Sequence, residues 1–296
     1  MVSNGKKNFL TVVAIMKNEA RSILEWASYY RSMGADAVVI YDNDSTDASS
    51  DILRVLDAHG VVKHRPWPSG DLESPQRAAY ADALKKDGSD TEWMLFVDAD
   101  EFATPLLDDT IPDAIRRIAG NDDEISGIAI NWRTFGTSGH QTKDDRLVTE
   151  KFTLCADGAT DPNNCVKSFV RPIRVTTPHI HISEFSSGRY VNERGEDVNI
   201  HHMGMSTTIH HGIMQINHYM TKSVEEWELK KSRGNANRGA QAQDKYDRVN
   251  DWLFNMANKN DVVDASIQRF LPRLRSELAT LKARTGNEIA TGWPDL

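Results

Sequence analysis

The first 132 residues alternate regularly, without an internal repeat, between short apolar runs and amphipathic stretches of helical period, with polar clusters after the runs. The runs fall at 9–15, 37–41, 61–64, 93–97 and 125–132. They are apolar along their length, not alternating, which suits strands of a sheet covered on both faces. The first helix is expected to be capped by Asn18, to carry Ile23, Ala27 and Tyr30 on one face, and to stop at Gly34. Asp44 or Ser45 is expected to cap a second, with Ile52, Val55 and Leu56 inward and Gly60 at its end. Pro75 opens a third, to about residue 86, and 111–119 form a fourth. Strands alternating with such helices imply right-handed crossovers and a mostly parallel sheet, so the class is α/β. Ligands of such sheets sit at the carboxyl ends of the strands, where the polar clusters lie.

Past about residue 133 the pattern changes to loops rich in Gly, Ser, Thr and Asp. Seven of the ten histidines lie between 179 and 218, a concentration that raises a metal hypothesis. Three helical segments follow: 223–233, where Ser223 with Glu226 makes a capping box, then about 241–257, then about 265–284 with Pro272 inside. The expected organisation is a main domain over 1–235, divided into a nucleotide-binding half (1–132) and an acceptor and metal half (133–235), with a helical C-terminal extension over 236–296.

A net charge of −8 argues against nucleic acid as a partner. An anionic small substrate would need a local cation. No apolar run reaches the length of a membrane span, and the run at 9–16 reads as a buried strand, not a signal peptide. Cys155 and Cys165 are expected as reduced thiols of a cytoplasmic protein, although a bridge across the turn-rich loop between them is an alternative.

Two strand ends carry paired carboxylates. Asp98-Ala99-Asp100 follows the run at 93–97, and the two-residue period points both carboxylates to one side. Two hard oxygen ligands together with diphosphate oxygens suit Mn²⁺ or Mg²⁺. Random placement of 28 aspartates gives about three such triplets. Position after a buried strand therefore gives this one its weight. The second triplet, within Asp42-Asn43-Asp44, follows the second strand and could accept hydrogen bonds from a nucleobase or ribose, or serve as a turn and cap. No glycine-rich dinucleotide fingerprint and no Walker loop is present, which disfavours dinucleotide oxidoreductases and P-loop enzymes.

Taken in order, the segments resemble the GT-A-type glycosyltransferases of family 2 and the related family 92. The matching pieces are Lys17-Asn18-Glu19 with Glu25-Trp26 and Tyr29-Tyr30, residues 40–45, residues 76–83, and residues 96–102. They continue with Asn131-Trp132, Phe135-Gly136 and Ser138-Gly139, then Lys167, Arg171-Pro172, His179 and His181. They end with residues 216–219, Lys222-Ser223 and Arg233-Gly234. The resemblance implies a GT-A fold that transfers sugar from a nucleotide-sugar donor, a UDP-sugar, to a glycan or lipid-linked glycan hydroxyl with inversion. It implies that Lys17, Asn18, Glu19, Asp42 and Asn43 hold the nucleotide, with Gln76, Arg77 and Ala99 beside them. Asp98, Asp100 and His218 would hold the metal, and the Asp42 triplet would not.

Cationic residues should stabilise a departing diphosphate; Lys222 and Arg233, which follow His218 closely, are the first candidates, with Lys167, Arg171 and Arg77 next. Trp132 at a strand end and Ser138 are candidate substrate contacts, Trp132 as a platform for a sugar ring. Inverting transfer needs a general base, for which the order of candidates is Glu150, Asp144, Glu184, with Glu101 beside the metal. A non-catalytic nucleotide- or glycan-binding protein, or a hydrolase centred on the histidines, are the alternatives. Arg269, Arg273, Arg275, Lys282 and Arg284 in the last helix suit either a peripheral membrane contact or a helix packed on the core; Glu277 interrupts the basic face and favours the second.

Overall fold

The computed structural model describes residues 7–158, 160–201, 204–233 and 250–295. Its strands are β1 (Asn8–Met16), β2 (Ala37–Asp42), β3 (Lys63–Pro66), β4 (Thr91–Phe96), β5 (Glu101–Pro105), β6 (Ile125–Thr134), β7 (Leu154–Cys155), β8 (Val166–Val170), β9 (Val175–Pro178), β10 (Ser183–Phe185), β11 (Arg189–Val191), β12 (Met214–His218) and β13 (Val262–Val263). The helices are α1 (Ile23–Ser32), α2 (Ser49–Ala58), α3 (Pro75–Asp87), α4 (Ile111–Ala119), α5 (Val148–Lys151), α6 (Val224–Arg233), α7 (Asn250–Ala257) and α8 (Leu271–Thr285).

Nine strands form the main sheet, in the order β3-β2-β1-β4-β8-β6-β12-β5 with β11 added beside β6. All but β8 and β5 run in one direction. The sheet is thus mostly parallel, and the ends of β1, β2, β4, β6 and β12 open on the same edge. Alternation within β1 sorts its side chains. Leu10, Val12, Ala14 and Met16 join a core shared with α1, α2, α4 and α8, while Val13 and Ile15 face α3 through Tyr80 and Ala83. Helices therefore cover both faces, which explains the absence of a polar stripe in the early strands.

Several boundaries differ from the sequence reading. Asn18 does not cap α1, which begins at Ile23. Its left-handed backbone (φ 55°) turns the side chain toward the second loop, where Oδ1 accepts from Thr46 N at 2.7 Å. The first turn of α2 is held by Asp47, whose Oδ1 accepts from Ser49 N at 2.9 Å, not by Asp44 or Ser45. Strands β5 and β12 were not anticipated. Each is short, and they pair with each other antiparallel. The Ser223–Glu226 capping box forms as expected, with Ser223 Oγ 2.6 Å from Glu226 Oε2. Of the helix expected over about 241–257, residues 241–249 lie outside the described residues, and α7 is its observed end. Pro272 stands in the first turn of α8, where its missing N–H costs nothing.

The C-terminal segment is not peripheral to the core. Leu274, Leu278 and Leu281 of α8 are buried in the same cluster as Tyr29 and Tyr30 of α1. Its basic residues are tied inward: Arg273 donates to Asp109 O (2.8 Å), Arg269 to Pro105 O (2.9 Å), and Arg275 to Glu150 (2.6 Å). Lys282 stands over the Trp293 ring. Cys155 and Cys165 are free thiols, and burial pushes both up to about 11. No helix among the described residues is long and apolar enough to cross a membrane.

Candidate functional site

The turn between β4 and β5, on the open edge, is braced from below. Helix α1 supplies the brace. Trp26 Nε1 donates to the carbonyls of Asp98 (3.0 Å) and Glu101 (3.2 Å), and Tyr30 OH donates to Glu101 O (3.0 Å). Tyr29 OH donates to Ala103 O at 2.9 Å. These aromatic residues explain why Trp26, Tyr29 and Tyr30 accompany the acidic triplet in sequence. Within the turn, Asp98 N donates to Glu101 Oε2 at 2.8 Å.

The turn gathers Asp98, Asp100 and Glu101, three carboxylates that would repel one another without cations. Two lysines answer them. Lys167 on β8 is fully buried, with Nζ 3.0 Å from Asp98 Oδ2 and 3.2 Å from Glu101 Oε2. Register explains its arrival: β8 runs antiparallel to β4 with Leu95 opposite Phe169, so Lys167 falls just past the end of β4. Burial disfavours its charge, but Asp98 and Glu101 outweigh that and raise its pKa. Lys230 on α6 reaches the centre from the other side, with Nζ 2.6 Å from Asp100 Oδ2. Gln76 Nε2 donates to Asp98 Oδ1 at 2.7 Å.

His218, opposite Glu101 in the β12–β5 register, brings Nε2 to 3.6 Å from Asp100 Oδ1. Burial opposes ionisation of Asp100, yet Lys230 and His218 hold its pKa well below the usual carboxylate range. Burial raises the pKa of Glu101 against the pull of Lys167. Trp132 is buried at the end of β6, its ring 4.2 Å from that of His218. Its Nε1 is buried without a partner among the described residues, as is His218 Nδ1.

The donor types suit a divalent cation in chemistry. Asp100 Oδ1 and His218 Nε2 are far enough apart for one cation at about 2.1 Å from each. Asp98 is 35% exposed, so its carboxylate is reachable. Among the described residues no three His, Cys, Asp or Glu side chains converge on one cation position.

The loops after β1 and β2 meet beside this centre. Asn18 bridges them as described, and Glu19 N donates to Ser49 Oγ at 2.8 Å. Burial opposes the charge of Asp42, but hydrogen bonds from His64, Ser45 and Ser50 outweigh it and bring the carboxyl down to about 2. Its Oδ1 is buried with no partner among the described residues, an acceptor ready for a ligand hydroxyl or N–H. Asn43 Nδ2 donates to Trp67 O (3.0 Å) and Ser69 Oγ (2.9 Å). Lys17 is half-buried at the same edge, Ala99 is buried within the acidic turn, and Arg77 is exposed on α3.

Other candidates lie elsewhere. Glu150 pairs with Arg275 of α8. Arg171 packs over Trp93 at the opposite end of the sheet. Ser138 accepts from Thr153 N and Leu154 N and stitches loops together. Glu184 is exposed on β10 and pairs with His179. The side chain of Arg233, and all of His202, lie outside the described residues. Three of the described histidines surround Trp132: the rings of His181 and His218 lie 5.4 and 4.2 Å from its own, and His211 Nε2 is 2.7 Å from its carbonyl, while His181 Nδ1 bonds Val166 O.

Lys222 (φ 49°) turns toward α1 and donates to Ser22 Oγ at 2.8 Å. It lines a cavity of about 310 Å³ together with Arg21, Asp144, Lys151 and Glu226. Asp144 is paired with Arg146 and Lys151, which keep it ionised. Glu226 on the cavity wall and Lys230 at Asp100 are one helical turn apart on α6, so cavity and acidic centre are neighbours. Lys230 was not anticipated, because a lysine in a polar helix looks like any solvated residue; its spacing from Glu226 was the available clue.

Comparison with known proteins finds relatives over most of the chain. A glycosyltransferase family 92 protein of Oryza sativa subsp. japonica is 27% identical over 237 residues, covering 77% of this chain and 35% of that protein. Family 92 proteins of Ricinus communis and Arabidopsis thaliana are 24% and 23% identical, each over 38% of its own length. The chain thus spans little more than a third of the curated relatives it matches. Among solved structures, Staphylococcus aureus TarS 1–349 aligns over 94% of this chain and 74% of its own at 14% identity, with a TM-score of 0.39. The glucosyl-3-phosphoglycerate synthase of Mycobacterium tuberculosis, in complex with Mn²⁺, UDP and glucosyl-3-phosphoglycerate, aligns over 43% of this chain and 44% of its own at 19% identity, with a TM-score of 0.29. The model of glycosyltransferase family 92 matches residues 7–256, which take in the ends of β1, β2, β4, β6 and β12, and the chain belongs to that family.

Proposed function

We propose that this chain transfers a sugar from a UDP-sugar to a hydroxyl of a glycan or lipid-linked glycan, with inversion and with a divalent cation, Mn²⁺ or Mg²⁺. The observation that carries the reading is the braced β4–β5 turn, where Asp98 and Asp100 stand beside His218 and two lysines on the open edge of the sheet.

Asp100, His218 and Asp98 would hold the cation, which when bound supplies positive charge to the departing diphosphate. The chain's own residues do the rest. Lys167 and Gln76 fix the Asp98 carboxylate. Asp42 Oδ1 and the loop of Lys17, Asn18 and Glu19 offer the nucleoside its hydrogen-bond partners, with Asn43, Arg77 and Ala99 around them. Trp132 packs against His218 with its ring tilted to the imidazole and limits water around it. Lys222, on the wall of the neighbouring cavity, is the described cation that would meet the diphosphate from that side. Of the carboxylates considered for the acceptor proton, Asp144 is the one on the cavity wall. Glu101, fully buried, positions Asp98, and Glu150 is engaged by α8. Free thiols fit a cytoplasmic setting.

Isothermal titration with UDP, with and without Mn²⁺, tests this. Binding that strengthens with Mn²⁺ and is lost in Asp98→Asn, Asp100→Asn supports the reading; no UDP binding in either condition contradicts it.

A further inference from the structure

The two lysines at the acidic centre are not equivalent. Lys167 is fully buried on a central strand and shared by Asp98 and Glu101. Lys230 extends from α6 at the edge of the site, its side chain is 33% exposed, and its other bond is to Met220 O at 3.1 Å. Its ammonium lies on Asp100 Oδ2 at 2.6 Å, on the same carboxylate whose Oδ1 faces His218 Nε2. The position suited to a cation is therefore flanked by a positive charge already resident. A lysine on a flexible four-carbon stem can withdraw along its exposed side, whereas Lys167 cannot.

We propose that Lys230 is a displaceable counter-ion of Asp100, one that couples entry of the divalent cation to entry of the nucleotide diphosphate. This rests on the reading of Asp98 and Asp100 as the diphosphate end of the site. In the free protein Lys230 neutralises Asp100 and opposes the cation. When the nucleotide is present, its phosphates supply both the missing oxygen ligands and a new partner for the ammonium. The cation takes the carboxylate as the lysine takes the phosphate. Removing Lys230 then has two opposite effects: the cation binds better alone, and it gains less from the nucleotide. A lysine that only holds α6 in place would produce neither.

The experiment follows free Mn²⁺ by electron paramagnetic resonance during titration of the full chain, with and without saturating UDP. Wild type is expected to bind Mn²⁺ at least about fivefold more tightly with UDP, and by linkage UDP gains the same factor from Mn²⁺. Lys230→Met and Lys230→Gln, each checked for native circular dichroism, are expected to bind Mn²⁺ without UDP about fivefold or more tighter than wild type, with a smaller gain from UDP. Lys230→Arg is expected to keep the wild-type pattern. Unchanged or weaker Mn²⁺ binding without UDP in both neutral variants overturns the inference while leaving the donor reading intact. Failure of the wild type to bind UDP at any Mn²⁺ concentration overturns the donor reading itself.

Discussion

Lys167 shows how a single residue holds both the fold and the site. It is buried between Asp98 and Glu101, and removing one partner of such a set leaves charge without compensation. Lys167→Met is expected to lower the unfolding free energy by about 3–5 kcal/mol in urea denaturation. Adding Glu101→Gln should recover part of that loss. Asp42 makes the residue-scale case for pH. Its folded pKa of about 2 lies below the ordinary 3.8, so its contribution to stability is complete above 3.8 and is lost as pH falls toward 2. The stability difference between wild type and Asp42→Asn, read from urea midpoints, should therefore shrink as pH drops through that window. Strand-end position and family order singled out Asp98, Asp100 and His218 in the sequence, and the fold brings His218 beside Asp100. The sequence did not reveal the partner of Glu150, since the ion pair with Arg275 depends on how α8 docks, whereas the pairing of Asp144 with Arg146 is local.

Among elements, the early strands and helices were readable because burial on both faces leaves a continuous apolar signature in β1, β2 and β4. The antiparallel pair β5–β12 was not, because its residues mix polar and apolar types: Gln215, Asn217 and His218 are all buried through pairing and tertiary bonds that no local pattern encodes. Helix α6 presents the Lys230 ammonium and the Glu226 wall of the cavity from one short segment, so its start matters for function. Ser223→Ala removes half of the capping box that defines that start. The expected cost is about 1 kcal/mol in thermal or chemical unfolding, accompanied by weaker UDP binding.

At the scale of the molecule, α8 belongs to the core, and the basic residues that suggested a surface role serve to dock it. Leu278→Ala, in a fully buried position between α8 and α1, is expected to cost about 2–5 kcal/mol. Deletion of residues 271–296 should expose that apolar face and give aggregated protein on size-exclusion chromatography. Because α1 also carries Trp26 and Tyr30 under the acidic turn, loosening α8 should weaken the site itself. The central claim, that the Asp98–Asp100 turn is the sugar-nucleotide centre of a transferase, is tested most directly by release of free UDP from a panel of UDP-sugars. The account predicts slow hydrolysis of at least one donor in Mn²⁺, abolished by chelation and by Asp100→Asn. Release that proceeds undiminished in the Asp98→Asn, Asp100→Asn double variant would contradict it.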